Sequence, residues 1–235
     1  MQQPIINLKD YTAPELIVFG AGCFLWVVVY FFTIRNIIKK QFVEIPLITV
    51  CGNIAWEFLW SWVFFTNMGS LFLWGYRIWF LLDCFITYSL FRFGYKQITI
   101  PALKKRSKAI IAFGIVCWLV LLYFYIKNYD YPISKMGAYS GYILNVIISA
   151  CYIPEFLRLD NKRLFSAPVK WLKAIGTALI SVFCFMHFND WFLLSLCIVT
   201  AVLDAIYLFI FHTHKTEKDS ESVSVVSQPG VVSNA

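Results

Sequence analysis

Seven apolar runs of roughly 20 residues, joined by short polar connections, leave this chain one kind of fold. They lie at roughly 15–34, 43–65, 74–95, 108–126, 137–157, 171–188 and 190–211. Such a length crosses a hydrocarbon core about 30 Å thick as α-helix, whereas barrel strands would alternate in polarity. With 60% hydrophobic residues, 14% charged residues and a mean hydropathy of +0.70, the chain is too apolar for a soluble domain. The expected architecture is all-α: a polytopic membrane protein built as one seven-transmembrane helix bundle over residues 1–211. From 212 to 235 the composition turns to Ser, Lys, Glu and Val with Pro229-Gly230, which predicts a disordered cytoplasmic tail.

Sixteen of the 20 Lys and Arg residues fall on connections of one side, including Lys170 and Lys173, and only Lys9, Arg77, Lys127 and Lys135 fall on the other. Basic short loops stay cytoplasmic, so the N-terminus is expected outside and the C-terminus in the cytoplasm. The net charge of +7 is thereby topology. Its scattering over separate loops argues against nucleic-acid binding, which needs one basic face, and places the cations against the lipid bilayer. The first span lacks a positive leading flank, carrying Lys9, Asp10 and Glu15 instead, so it is kept as a span and not read as a cleaved signal. All seven cysteines lie inside spans without C-x-x-C pairing and read as buried thiols. His212 and His214 have no third ligand near them in sequence and read as a membrane flank; no metal is expected.

Three acids lie within the apolar runs. Glu57 occupies Gly52-Asn53-Ile54-Ala55-Trp56-Glu57 in the second, Asp83 the third, and Asp204 the last. A charged side chain at the bilayer centre costs roughly 2.5–3.5 kcal/mol even on lenient scales, so each must face protein or a cavity, or hold its proton. A carboxylic acid kept neutral near pH 7 is a usable proton donor. Spacings of three and four put Asn53, Trp56, Glu57 and Trp60 on one helical face, Trp79, Asp83 and Thr87 on another, and Thr200, Asp204 and Tyr207 on a third. At 1.5 Å per residue Glu57 and Asp83 come out nearly level, ~12 and ~13 Å from the outer boundary, with Asp204 at ~21 Å. Asp83 has a second reading, as a structural ion pair with Arg77 about a turn and a half away. Glu57 and Asp204 likewise could be structural hydrogen-bonding groups, but intramembrane acids mark functional sites by default.

In size, seven spans, the pattern Gly52-Asn53-x-x-Trp56-Glu57 and the lone Asp204 of the last span, the chain resembles the membrane-bound terpene cyclases of fungal meroterpenoid and indole-diterpene pathways, the pyripyropene-cyclase type. The resemblance implies cofactor-independent cyclisation of a prenylated, usually epoxidised, small molecule, with Glu57 and Asp204 as the catalytic acids. It implies functional coupling to the prenyltransferase and epoxidase that would make such a substrate.

Independently of the resemblance, protonating an epoxide or alkene needs a desolvated acid. The carbocation that follows needs aromatic walls, each worth about 0.5–2 kcal/mol. Asn53, Trp56, Trp60, Trp79, Asp83, Thr87, Thr200 and Tyr207 are the candidate substrate-binding residues. No D-D-x-x-D cluster is present to hold the Mg²⁺ that diphosphate ionisation requires. The rival reading is a seven-helix small-molecule or proton-coupled transporter using the same acids. A third reading, a retinal protein, is weak because the last span contains no Lys for a Schiff base.

Overall fold

The computed structural model describes residues 4–226, with side chains described as far as His214. Among the described residues there are helices and no strand. Seven helices form the bundle: α1 (Ala13–Lys40), α2 (Leu47–Phe58), α3 (Ser70–Phe93), α5 (Ser107–Tyr125), α6 (Ala138–Arg158), α7 (Ala167–His187) and α8 (Trp191–Val226), with a short turn α4 (Pro101–Lys104) between α3 and α5. Six are long and apolar enough to cross a membrane, and α2 with its continuation, Leu47–Val63, is a shorter apolar helix. The seven helices match the seven apolar runs, and together they make the helical membrane bundle expected from the sequence.

Local chemistry sets the helix ends. Prolines in the first turn open α1, α4 and α7, where the missing N–H costs nothing. Gln41, in the left-handed conformation at φ 48°, closes α1 by donating its N–H to Ile37 O at 2.8 Å. Both α2 and α5 end in π-helical turns, Leu59–Val63 and Ile126–Asp130, shown by N–H bonds from Phe64 to Leu59 (2.7 Å) and from Tyr131 to Ile126 (2.8 Å). The rings of Trp60, Phe64 and Tyr131 pack together where these turns meet.

Close helix approach follows from glycine. A Cβ on Gly22 of α1 would stand 2.9 Å from Gly176 O of α7, and one on Gly52 would stand 2.6 Å from Leu144 of α6. The glycine beside Asn53 in the second span therefore lets α2 sink against α6.

At the N-terminal end of the bundle the segment before α1 is stitched to the loop before α3 by Asn7 N–H to Met68 O (2.9 Å) and to the first turn of α3 by Leu71 N–H to Ile5 O (3.1 Å). Tyr11 donates its hydroxyl to Asn67 Oδ1 at 2.7 Å, and burial pushes its phenol up to about 12. At the opposite end Glu44 accepts from Ser166 N–H (2.7 Å), tying the α1–α2 connection to the start of α7.

Two features depart from the sequence reading. Helix α7 begins at Ala167, not near 171, so Lys170 and Lys173 are buried helix residues and not loop cations; Pro168 supplies a first turn that hydropathy alone does not mark. Helix α8 runs on to Val226 and so takes in the first part of the segment expected as a tail, while residues 227–235 lie outside the described residues.

Candidate active site

Tyr30 of α1 donates its hydroxyl to Glu57 Oε1 of α2, and Asp83 of α3 lies beside both, close enough for its carboxyl to interact with each. The three side chains are buried. Glu57 Oε2 and both oxygens of Asp83 have no hydrogen-bond partner. Two like carboxyls buried side by side are costly to ionise together. Three different helices place these side chains together.

Glu57 opens onto a cavity of about 100 Å³. Trp26 and Tyr30 of α1, Asn53 and Trp56 of α2, Tyr76 and Trp79 of α3, and Tyr142, Asn145 and Ile148 of α6 supply much of its wall, with Met136, Gly137 and Ala138 at one end. Aromatic faces surround a polar spot made by Glu57, Asn53 and Asn145. The end wall is held rigidly: Tyr76 donates to Met136 O at 2.8 Å, and Asp130 accepts from Ser134 Oγ and from Ser140 N–H (2.7 Å). Gly137, at φ +87°, lies directly against Trp56 and Trp60; a Cβ there would stand 2.7 Å from the Trp56 ring. Both indoles donate to Ser140 Oγ, Trp56 at 2.7 Å and Trp60 at 3.3 Å.

The candidate residues therefore divide. Asn53, Trp56, Glu57 and Trp79 line the cavity, and Asp83 stands behind Glu57. Trp60 is fully buried in the cluster with Phe64 and Tyr131, outside the lining. Thr87 is buried one turn along from Asp83, its hydroxyl without a partner, and Thr200 bonds back to Leu196 O of its own helix at 2.8 Å. Arg77 does not pair with Asp83: its Nε–H donates to Ser61 O at 3.4 Å and its guanidinium lies 4.8 Å from the ring centres of both Trp62 and Trp74.

Asp204 belongs to a second polar cluster. Its oxygens accept from Lys173 Nζ at 2.7 and 2.9 Å, and Lys173 also donates to Ser149 Oγ at 2.8 Å. Tyr207 stacks on Tyr152 of α6, ring centres 5.2 Å apart, and the buried Lys170 ammonium sits among the rings of Phe156, Phe165, Tyr207 and Phe211. Ser149 lies one turn beyond Asn145 on α6, so the ion pair sits about 6 Å further along that helix than the cavity's polar spot. The faces of the second, third and seventh spans that carry the acids do not enclose one cavity: α1, α2, α3, α6 and α7 line it, and α8 contributes no lining residue. Both acids are nevertheless buried in protein, not turned to lipid.

Sequence reasoning missed Tyr30, Asn145 and Lys173. Trp26, Tyr30 and Thr33 recur at helical spacing in the first span, as do Gly141, Asn145 and Ser149 in the fifth, and these stripes were the available signal. Among the described residues, no three His, Cys, Asp or Glu side chains gather in a way that could hold a metal ion. All seven cysteines are free thiols, three of them buried.

Residues 9–217 match the family described as Pyr4-like transmembrane terpene cyclases. The Pyr4-family terpene cyclase mfmH of Annulohypoxylon moriforme is 25% identical over 221 residues, covering 89% of this chain and 88% of that protein. No solved structure matches.

Proposed function

The chain belongs to the Pyr4-like transmembrane terpene cyclases, and within that family we propose that it protonates an epoxide or alkene of a prenylated substrate and steers the resulting carbocation into rings without a cofactor. Glu57 gives the proton. Asp83 keeps a second carboxyl beside it, which disfavours ionisation of the pair, and Tyr30 fixes the Glu57 carboxyl in place. The proton passes to the epoxide oxygen as its C–O bond breaks, leaving a hydroxyl and a cation. The rings of Trp26, Tyr30, Trp56, Tyr76 and Trp79 shelter that cation, and the apolar wall excludes water that would trap it. Return of a proton from the final cation to the Glu57 carboxylate ends the sequence and resets the acid, so product and substrate have the same mass and the reaction is an isomerisation or lyase-type step.

Asp204 takes a positioning role in this reading, since it lies with Lys173 outside the cavity lining. It holds α6, α7 and α8 in register beneath the cavity. The reaction needs a prenylated precursor, epoxidised where an epoxide is the group protonated, which would couple this enzyme to a prenyltransferase and, in that case, an epoxidase. The single observation that carries the reading is the Glu57 carboxyl opening, beside a second carboxyl, into an aromatic-lined cavity.

Purified protein in detergent is to be incubated with epoxyfarnesylated and epoxygeranylgeranylated aromatic compounds, with products read by mass and by skeleton. Cyclic isomers of unchanged mass, formed without an ion gradient, are expected. Gradient-dependent uptake into proteoliposomes with no skeletal change from any substrate in the panel would overturn the proposal in favour of a transporter.

A further inference from the structure

The cavity beside Glu57, about 100 Å³, falls well below the roughly 300–1,000 Å³ of small-molecule sites. It holds the reacting end of a polyprenyl chain and not the rest. On the far side of its wall, between α1 and α3, lies an apolar groove of about 510 Å³. Tyr76 and Trp79 line both spaces. Gly20 on α1 and Gly75 on α3 leave its floor bare, since a Cβ at either would meet nothing within 4 Å. The exposed side chains of Phe24 and Leu71 flank it, facing the surface that the membrane covers, and the N-terminal segment closes one end with Ile6 and Leu8.

We propose that this groove binds the isoprenoid chain of the substrate and is the lateral port through which its reacting end passes from the bilayer, between Tyr76 and Trp79, to Glu57. The inference rests on the cyclase reading for the identity of the chain. Three observations select an isoprenoid over an ordinary lipid tail as the occupant: the groove is divided from the cavity beside Glu57 only by the Tyr76 and Trp79 side chains, the cavity is too small alone, and the shared wall is aromatic. The two rings of that wall stack with centres 5.6 Å apart, but they are held differently. Tyr76 is tied by its hydroxyl to Met136 O, whereas the Trp79 indole N–H has no partner. Trp79 is the ring that swings, and Tyr76 the fixed jamb. A chain lying along α3 then delivers its terminus to the carboxyl with the remaining isoprene units still in apolar surroundings.

The test uses the full chain in lipid nanodiscs. Gly20→Phe and Gly75→Phe project a ring into the groove from positions where a Cβ meets nothing within 4 Å. Each is expected to raise KM for a long-chain substrate at least about tenfold, the equivalent of about two methylenes left unburied, with kcat within about twofold of the parent. Val120→Phe, on the exposed face of α5, is expected to change neither constant. A second arm does not depend on turnover. A geranylgeranyl ether bearing a terminal diazirine should label α1 and α3 at the groove, and an unlabelled prenylated aromatic should compete, whereas a phospholipid with a diazirine in its acyl chain should label the lipid-facing surface broadly. Unchanged KM in both Phe variants, or prenyl labelling as diffuse as the phospholipid's, overturns the port. If turnover is absent from the parent but groove labelling is selective and competed, the groove stands and the cyclase reading falls.

Discussion

Lys173 Nζ lies 2.7 and 2.9 Å from the two oxygens of Asp204, and this buried ion pair joins α7 to α8 while Ser149 ties it to α6. Removing one partner of such a pair strands the other charge, which typically costs about 3–5 kcal/mol, whereas replacing both by apolar groups is often neutral. Asp204→Asn is therefore expected to lower the thermal unfolding midpoint in detergent and, with it, activity. Lys173→Met combined with Asp204→Leu is expected to recover both. A double variant that is stable yet inactive would move Asp204 back among the groups that act on the substrate.

Glu57→Gln keeps the shape of the side chain but donates only a weak amide proton. Turnover is expected to fall at least about 10²-fold, the lower end of general-acid contributions, with folding and substrate binding retained. Tyr30→Phe removes one hydrogen bond to Glu57 and should cost about 3- to 10-fold, the equivalent of roughly 1 kcal/mol. Near-normal turnover in Glu57→Gln removes Glu57 from the mechanism.

A proton held by Glu57 and Asp83, as proposed, would be directly observable. In the infrared a protonated carboxyl has a C=O stretch that a carboxylate lacks, and the parent protein at neutral pH should show one that Glu57→Gln combined with Asp83→Asn loses. If parent and double variant give the same carboxyl band, the pair holds no proton and Asp83 has no part in keeping one.

The helix bundle was legible because apolar runs of fixed length admit little else, and Glu57 and Asp204 were legible because a carboxyl among Ile, Leu and Trp is costly. The partners were not. Tyr30 is as apolar in its ring as its neighbours, so its hydroxyl gives no signal until α1 is laid beside α2. Lys173 sits close enough to a loop that hydropathy assigns it there, although Pro168 had already started the helix. Trp60 and Thr200 share faces with the acids, but sharing a face on one helix does not say which neighbour that face meets. Arg77 illustrates the converse: spacing offered it to Asp83, and the nearer rings of Trp62 and Trp74 took it.

From the distribution of charge we propose that the N-terminus lies outside and the C-terminus in the cytoplasm. With Lys170 and Lys173 inside the bundle, fourteen basic residues on one side still face four on the other. A reporter active only in the cytoplasm should work when fused after Ala235 and stay silent at the N-terminus. The reverse pattern would invert the assignment.

Trp79 offers the cleanest test of the aromatic wall, because its indole N–H makes no hydrogen bond while Trp56 is tied to Ser140. Trp79→Leu removes the π-face and leaves an apolar side chain. If the ring stabilises a late carbocation by about 0.5–2 kcal/mol, its loss should favour early deprotonation over ring closure by about 2- to 30-fold. Substrate should still be consumed, since Glu57 and its proton are untouched, but the products should shift to partly cyclised isomers of the same mass. Trp79→Phe keeps an aromatic face and should restore much of the parent distribution. Should Trp79→Leu give the parent products in parent proportions, with the protein folded by size-exclusion, the ring stabilises no cation and the wall acts by exclusion of water alone.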